Sequence, residues 1–291
     1  MPTIVRFRLR LAGDARLRLE NAPAQGWLLQ LIHRHDPEWA ERLHPVATSP
    51  TASGNDRAET SRRALYAVSP LLMPSEEALV GEANREERAY ADSGPAQHQG
   101  VVHLRAGFAD DAEAESLLRA LPAEPPRLGA APCHWERVPN VADLHDPDVL
   151  VCPWPYLAQA PPAPRLRVLF VTPTAFKRRG ALHPLFETER VWAAWRDLWE
   201  AGAGAVPPFA DELLESGEVP RVSAYRLETQ TARLKGGLFI GAVGFVEWTW
   251  KATAPDEYRR AGAALAAVSD FLGTGAKAAM GMGQTRVQFL D

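Results

Sequence analysis

Between Ile4 and Leu11, apolar side chains alternate with Arg6, Arg8 and Arg10. This period of two predicts a strand with one buried face. Trp27, Leu28, Leu31 and Ile32 follow at helical spacing. Asp36-Pro37 predicts the start of a further helix, with Asp as N-cap and Pro at the first helical position, running through Trp39, Ala40 and Leu43 to His44. Residues 45–59 are rich in Ser, Thr, Pro, Gly and Asn and read as a loop. Strands are expected at 64–72, 100–108 and 127–138, with a helix at 110–121 that has an acidic first turn. The pattern then repeats. After prolines at 153, 155, 161, 162 and 164, residues 166–171 read as a strand, and 187–201 as an amphipathic helix carrying Val191, Trp192, Trp195 and Leu198. Residues 221–234 and 238–250 read as two strands across a Lys235-Gly236-Gly237 turn. A helix at 256–271 and a strand at 281–290 complete the chain.

Both halves therefore read β-α-β-β-α-β, the first with one extra helix. The expected fold class is α+β, two tandem ferredoxin-like (RRM-like) domains at 1–140 and 163–291. A Pro-rich linker at 141–162 is expected to join them. The length of 291 residues agrees with two domains, and 46% apolar with 23% charged residues is a globular balance. Two cysteines, Cys133 and Cys152, exclude a disulfide-stapled scaffold. With His134 and His145 they match no familiar zinc spacing. No apolar run reaches membrane-spanning length, and the N-terminus lacks a signal-peptide core. A soluble, cytoplasmic protein is expected, with no membrane partner, metal or cofactor.

The net charge of −4 alone argues against a nucleic-acid partner, but its distribution is uneven. Acids gather at 76–87 and 110–115. Bases gather at Arg6, Arg8, Arg10, Arg16 and Arg18, and again at Arg165, Arg167, Lys177, Arg178 and Arg179, within an acid-free stretch from 161 to 186. A charge run is most often a solvated face. Trp248 and Trp250, on one expected strand, are core residues before they are base-stacking ones.

Between the last helix and the last strand lies Gly273-Thr-Gly275-Ala-Lys277-Ala-Ala-Met280-Gly281-Met-Gly283-Gln284. Four glycines in eleven residues let the backbone turn sharply and present N–H groups, and Lys277 adds positive charge. The order is not that of a Walker loop. A helix precedes the segment and a strand follows, so it is not a dinucleotide fingerprint.

With its flanking Phe271-Leu, this segment resembles the C-terminal glycine-rich signature of the CRISPR repeat-processing endoribonucleases, the Cas six family of the RAMP superfamily. Phe170-Val-Thr172-Pro173-Thr174-Ala-Phe176-Lys177 resembles the family element that opens the second domain, and Asp36-Pro37-Glu38-Trp-Ala40-Glu41-Arg-Leu43-His44 resembles its short helix ending in Leu-His. The resemblance implies tandem ferredoxin-like domains and metal-independent cleavage of precursor CRISPR RNA within repeats. The 2′-hydroxyl attacks the adjacent phosphate, leaving a 2′,3′-cyclic phosphate and a 5′-hydroxyl.

His44 falls at the family's general acid/base position. His33 stands where the family often has a tyrosine. The 45–60 loop lacks the family's lysine, and its only base is Arg57. Arginine can stabilise a phosphorane but is a poor proton donor, so His33, then His35, are candidates for the second proton-transfer role. His35 also continues the Leu28-Leu31-Ile32 stripe. RNA binding is expected at Gly273, Gly275, Lys277, Gly281, Gly283 and Arg286, and at Lys177, Arg178 and Arg179. CRISPR repeat RNA is the expected partner, with effector-complex proteins and a second copy of the chain as further candidates. The alternative is a catalytically silent RAMP-type RNA-binding subunit of an effector complex.

Overall fold

The computed structural model describes residues 1–12, 17–18, 27–28, 30, 32–34, 37–38, 66–68, 97–98, 101–119, 127–128, 131–140, 143, 145–178, 180–184, 187–234 and 237–291. Two antiparallel sheets organise them. The first contains β1 (Thr3–Leu11), β2 (Tyr66–Val68), β3 (Val101–Phe108) and β4 (Ala131–Arg137), in the spatial order β2-β3-β1-β4. The second contains β5 (Arg165–Thr174), β6 (Arg221–Leu234), β7 (Gly237–Thr249) and β8 (Thr285–Leu290), in the order β6-β7-β5-β8. These are the same permutation, that of a ferredoxin-like sheet, so the expected tandem architecture is observed.

Alternation in β1 has the predicted consequence. Val5, Phe7, Leu9 and Leu11 enter the first core, with Leu104, Ala106 and Phe108 from β3 and Trp27, Leu28 and Ile32 from helical residues near 27–34. Ala114 and Leu117 of α1 (Asp111–Arg119) pack into the same core. The second core lies between β5, β7, and the helices α2 (Thr188–Ala203) and α4 (Asp256–Leu272). Trp192, Trp195 and Trp248 are fully buried there, and Trp250 nearly so. Their rings meet edge-on at 5.1–6.1 Å. The short α3 (Ala210–Ser216) adds Ala210 and Leu213 to this core.

Three expectations change. The single strand expected at 127–138 is instead two paired strands, 127–128 and β4 (Leu128↔Ala131). Within the 141–162 stretch, expected as a linker, described residues from Val149 to Leu157 pack against both halves. Val149–Val151 pairs with β1 (Ile4↔Leu150) and extends the first sheet beyond the irregularity at Arg8/Leu9, where β4 pairs at the other end of β1. The turn Trp154–Leu157, begun by Pro153, sets Trp154 against Trp199, with ring centroids 4.8 Å apart and planes tilted by 57°. The last strand begins at Thr285 rather than at 281, because Gly281 and Gly283 both hold positive φ. The β6–β7 hairpin is as expected, with Leu234 opposite Gly237.

The two halves share an interface. The face of β3 away from the first core lies against the C-terminal end of α4, and Ile4 of β1 belongs to the second core. Among the described residues no helix is long and apolar enough to cross a membrane.

Candidate nucleic-acid interface

The glycine-rich segment is a tight loop stitched to the end of β5. Thr274 N–H donates to the Gly283 carbonyl at 2.7 Å, pinching the loop closed at its stems. Ala276 N–H donates to Ala175 O at 2.8 Å, Gly283 N–H to Pro173 O at 3.1 Å, and Gln284 N–H to Thr172 Oγ1 at 2.9 Å. The Phe170–Lys177 motif and the glycine-rich motif, more than 90 residues apart in sequence, are thus one backbone cluster. A buried polar thread runs beneath it. Trp195 Nε1–H donates to Thr274 Oγ1 at 2.9 Å, and the Thr285 hydroxyl donates to Ser269 O at 2.7 Å.

The glycines are needed for two reasons. Gly275 and Gly283 hold φ of +80° and +66°. A Cβ on Gly275 would stand 2.5 Å from Ala175 O, and on Gly283 2.1 Å from Thr274 O. Backbone conformation and close packing both exclude a side chain. Lys277 also holds positive φ, +64°, and its carbonyl accepts from Met280 N–H (2.8 Å) and Met282 N–H (3.3 Å). Its ammonium lies 4.5 Å from the Phe239 ring centroid, on the β6–β7 hairpin. The amides of Gly275, Lys277, Ala278 and Ala279 meet no acceptor among the described residues, and these residues are half-exposed. Amides left free of the loop's own bonding, beside an ammonium, suit an anion. The single turn Ala278–Met280 packs against β2, so the loop sits between the two halves.

Other expected residues fall in different settings. Lys177 and Arg178 lie exposed on Phe176–Arg178, which pairs with Ala181–His183 in a small hairpin. Arg178 makes a 2.9 Å ion pair with Glu187, whose carboxyl also accepts from Arg190 at 3.0 Å. The Arg190 hydrogen bond and charge, with Arg178 behind them, hold the Glu187 carboxyl below the usual range. Arg286 is half-buried on β8, donates to Thr285 O at 2.9 Å, and places its charge against buried Asp270. Part of its role is internal. His33 is exposed on its helix. His44, His35, Arg57 and Arg179 lie outside the described residues.

Several residues of the basic runs are matched by acids. Arg8 pairs with buried Asp148 at 2.7 Å, Arg10 with Glu136 at 2.8 Å, and Arg167 Nε with Glu247 at 2.7 Å. Cys133 is buried, Cys152 half-buried, and both are free thiols. Sequence reasoning missed Arg105, Asp270, Thr172 and Gln284 as members of the loop's support. Arg105 lies on β3 two residues from His103, so the local sequence did not mark it as a buried clamp.

The class is now defined: a tandem ferredoxin-like protein whose glycine-rich loop is clasped by the end of the second domain's first strand. Residues 168–285 match the family described as CRISPR-associated endoribonuclease Cas6. CRISPR-associated endoribonuclease Cas6 of Mycobacterium tuberculosis (strain H37Rv) is 30% identical over 128 residues, 44% of this chain and 40% of that protein's length. By fold the likeness spans the whole chain. A Cas6 product complex superposes with a TM-score of 0.72 at 24% identity, covering 99% of this chain and 100% of the other. Thermus thermophilus Cas6 gives 0.66 at 23%, covering 99% and 98%. A Cas6-related protein from Pyrococcus furiosus gives 0.57 at 10%, covering 100% of both chains. The chain is Cas6-like by sequence in its second half and by fold throughout.

Proposed function

We propose that the protein is a metal-independent endoribonuclease that cuts precursor CRISPR RNA within its repeats. The observation that carries this reading is the fusion of the two signature motifs into one half-exposed loop, with Lys277, at the junction of the two domains. Such a loop suits a phosphodiester backbone, and solved Cas6 proteins of this fold include a product complex and a substrate-mimic complex.

The chemistry is a transesterification. A base takes the proton of the 2′-hydroxyl, the 2′-oxygen bonds to phosphorus, the P–O5′ bond breaks, and an acid protonates the leaving 5′-oxygen. The products carry a 2′,3′-cyclic phosphate and a 5′-hydroxyl. His44 is assigned one proton-transfer role, since an imidazole with an ordinary pKa near ~6.5 serves as acid or base at neutral pH. His33 is the first candidate for the other, His35 the second. Arg57 is assigned to the charge of the phosphorane. Phosphate contacts fall to the glycine-rich loop and Lys277, then to Lys177, Arg178, Arg179 and Arg286.

The test is incubation with the cognate repeat RNA in EDTA, with ribose or deoxyribose 5′ to the scissile phosphate. Cleavage of the ribose substrate alone is expected. His44→Ala should lower the rate by roughly 10²–10⁴-fold with nearly unchanged binding. Tight binding with no cleavage by the unaltered protein would instead favour a silent RNA-binding subunit.

A further inference from the structure

Arg105 is an arginine on a strand flanked by Leu104 and Ala106, and only 5% of its surface is exposed. It belongs to β3, in the first half of the molecule, yet its guanidinium reaches into the second. One terminal nitrogen donates to Gln284 Oε1 at 3.3 Å, and the other to the carbonyl oxygen of Asp270. Asp270 stands three residues before Gly273, and Gln284 immediately follows Gly283. These residues are the two stems of the glycine-rich loop, and a single side chain from the other half holds both.

The strand around Arg105 is shaped for this reach. Gly107, next on the same face, lies against the Phe271 carbonyl so closely that a Cβ would stand 1.8 Å from the oxygen. β3 is therefore pressed onto the last turn of α4, which leads directly into Gly273. Beside it, β2 pairs with β3 (Val68↔Ala106) and packs against the tip of the loop. Burying a guanidinium costs more than burying an apolar side chain of similar size. A hydrogen-bonding fork across two stems returns a fixed geometry that no apolar side chain supplies.

We propose that Arg105 is a positioning residue that sets the glycine-rich loop against the first domain, and so aligns the RNA phosphate held by the loop with the proton-transfer groups carried by that domain. It is too buried to touch RNA. This inference rests on the endoribonuclease reading. It separates binding from chemistry, because phosphate contacts tolerate a small rotation of the loop whereas a reacting group displaced by about 1 Å loses on the order of 10²-fold in rate.

The experiment compares the full-length protein with Arg105→Met, Arg105→Lys and Gln284→Met. Single-turnover cleavage is measured at saturating repeat RNA, with binding by filter retention. Arg105→Met should cut 10–100-fold more slowly, with Kd within about threefold of the unaltered protein. Arg105→Lys keeps the charge but not the two-pronged reach, and should recover only part of the rate. Gln284→Met retains the backbone bond to Thr172 and should also be slow, and combining it with Arg105→Met should add little. Amide hydrogen exchange provides a readout independent of cleavage. Exchange at Thr274, Ala276, Gly283 and Gln284 should rise in Arg105→Met while the middle of α4 stays protected. Unchanged exchange in that loop overturns the proposal, as does cleavage within twofold of normal in both Arg105→Met and Gln284→Met. Failure of the unaltered protein to cut counts against the endoribonuclease reading instead, and the exchange data then decide the role of Arg105. If Arg105→Met does not fold, Gln284→Met alone decides both readouts.

Discussion

Gly275 combines a left-handed backbone with a neighbouring carbonyl 2.5 Å from where a methyl would sit. Gly275→Ala therefore has no unstrained solution, and the loop must open or the end of β5 must shift. A loss of about 1–3 kcal/mol in unfolding free energy is expected, with weaker RNA binding, checked by urea denaturation and filter binding. Lys277 makes a different contribution. If its ammonium, held over the Phe239 ring, contacts a phosphate, Lys277→Ala should weaken binding to all repeat variants alike and reduce the slope of log K against log salt by about 1. An unchanged salt slope would place Lys277 in the structure of the loop alone. The loop that carries both was legible in sequence, since glycine spacing reports backbone conformation directly. Arg105 was not. Its partners lie 165 and 179 residues along the chain, and nothing local distinguishes an arginine that clamps two stems from one that faces solvent at a sheet edge.

The elements repeat this division. β1, β5 and the helices α2 and α4 were legible because each buries an apolar stripe, and the pattern of two or of three to four residues is set by that burial. Short pieces carry too few residues to show a period. Val149–Val151 and Phe176–Arg178 are strands because β1 and Ala181–His183 supply hydrogen-bond partners, a tertiary cause absent from the local sequence. The Phe170–Lys177 motif shows how an element acquires a role through its end. Leu166, Val168 and Phe170 fix β5 in the second core, and the backbone beyond them is left to hold the loop. The Thr172 hydroxyl is the acceptor for Gln284 N–H. Thr172→Val keeps the shape and removes that acceptor. Leaving a buried N–H unpaired should cost roughly 1–3 kcal/mol, read as a lowered urea midpoint with an unchanged denaturant slope. A midpoint equal to that of the unaltered protein would show that the loop finds another acceptor.

At the scale of the whole molecule, two sheets of the same permutation are joined through a seam in which buried polar groups lie alongside apolar contacts such as those of Ile4 and Ala109. Asp270 lies at its centre. Burial pushes its carboxyl up to about 6, against the charges of Arg105 and Arg286 and the Val287 N–H that donates to it at 3.0 Å, all of which favour the ionised form. Desolvation prevails even with two arginines alongside. Between an unfolded value near ~4 and a folded value of about 6, the folded chain binds the extra proton. Stability therefore falls as pH rises through that window, and the folded state carries the full cost of the buried charge above it. Asparagine reproduces the neutral form and can still accept from Val287. Asp270→Asn should be more stable than the unaltered protein at pH 8, by up to roughly 3 kcal/mol, and should match it near pH 4. Urea melts across pH 4–8 test this: the difference between the two curves should open between pH 4 and 6 and stay constant above. A variant less stable at every pH would mean that the arginines need the carboxylate more than burial opposes it. The seam would then be held together by charge rather than by the geometry of Arg105.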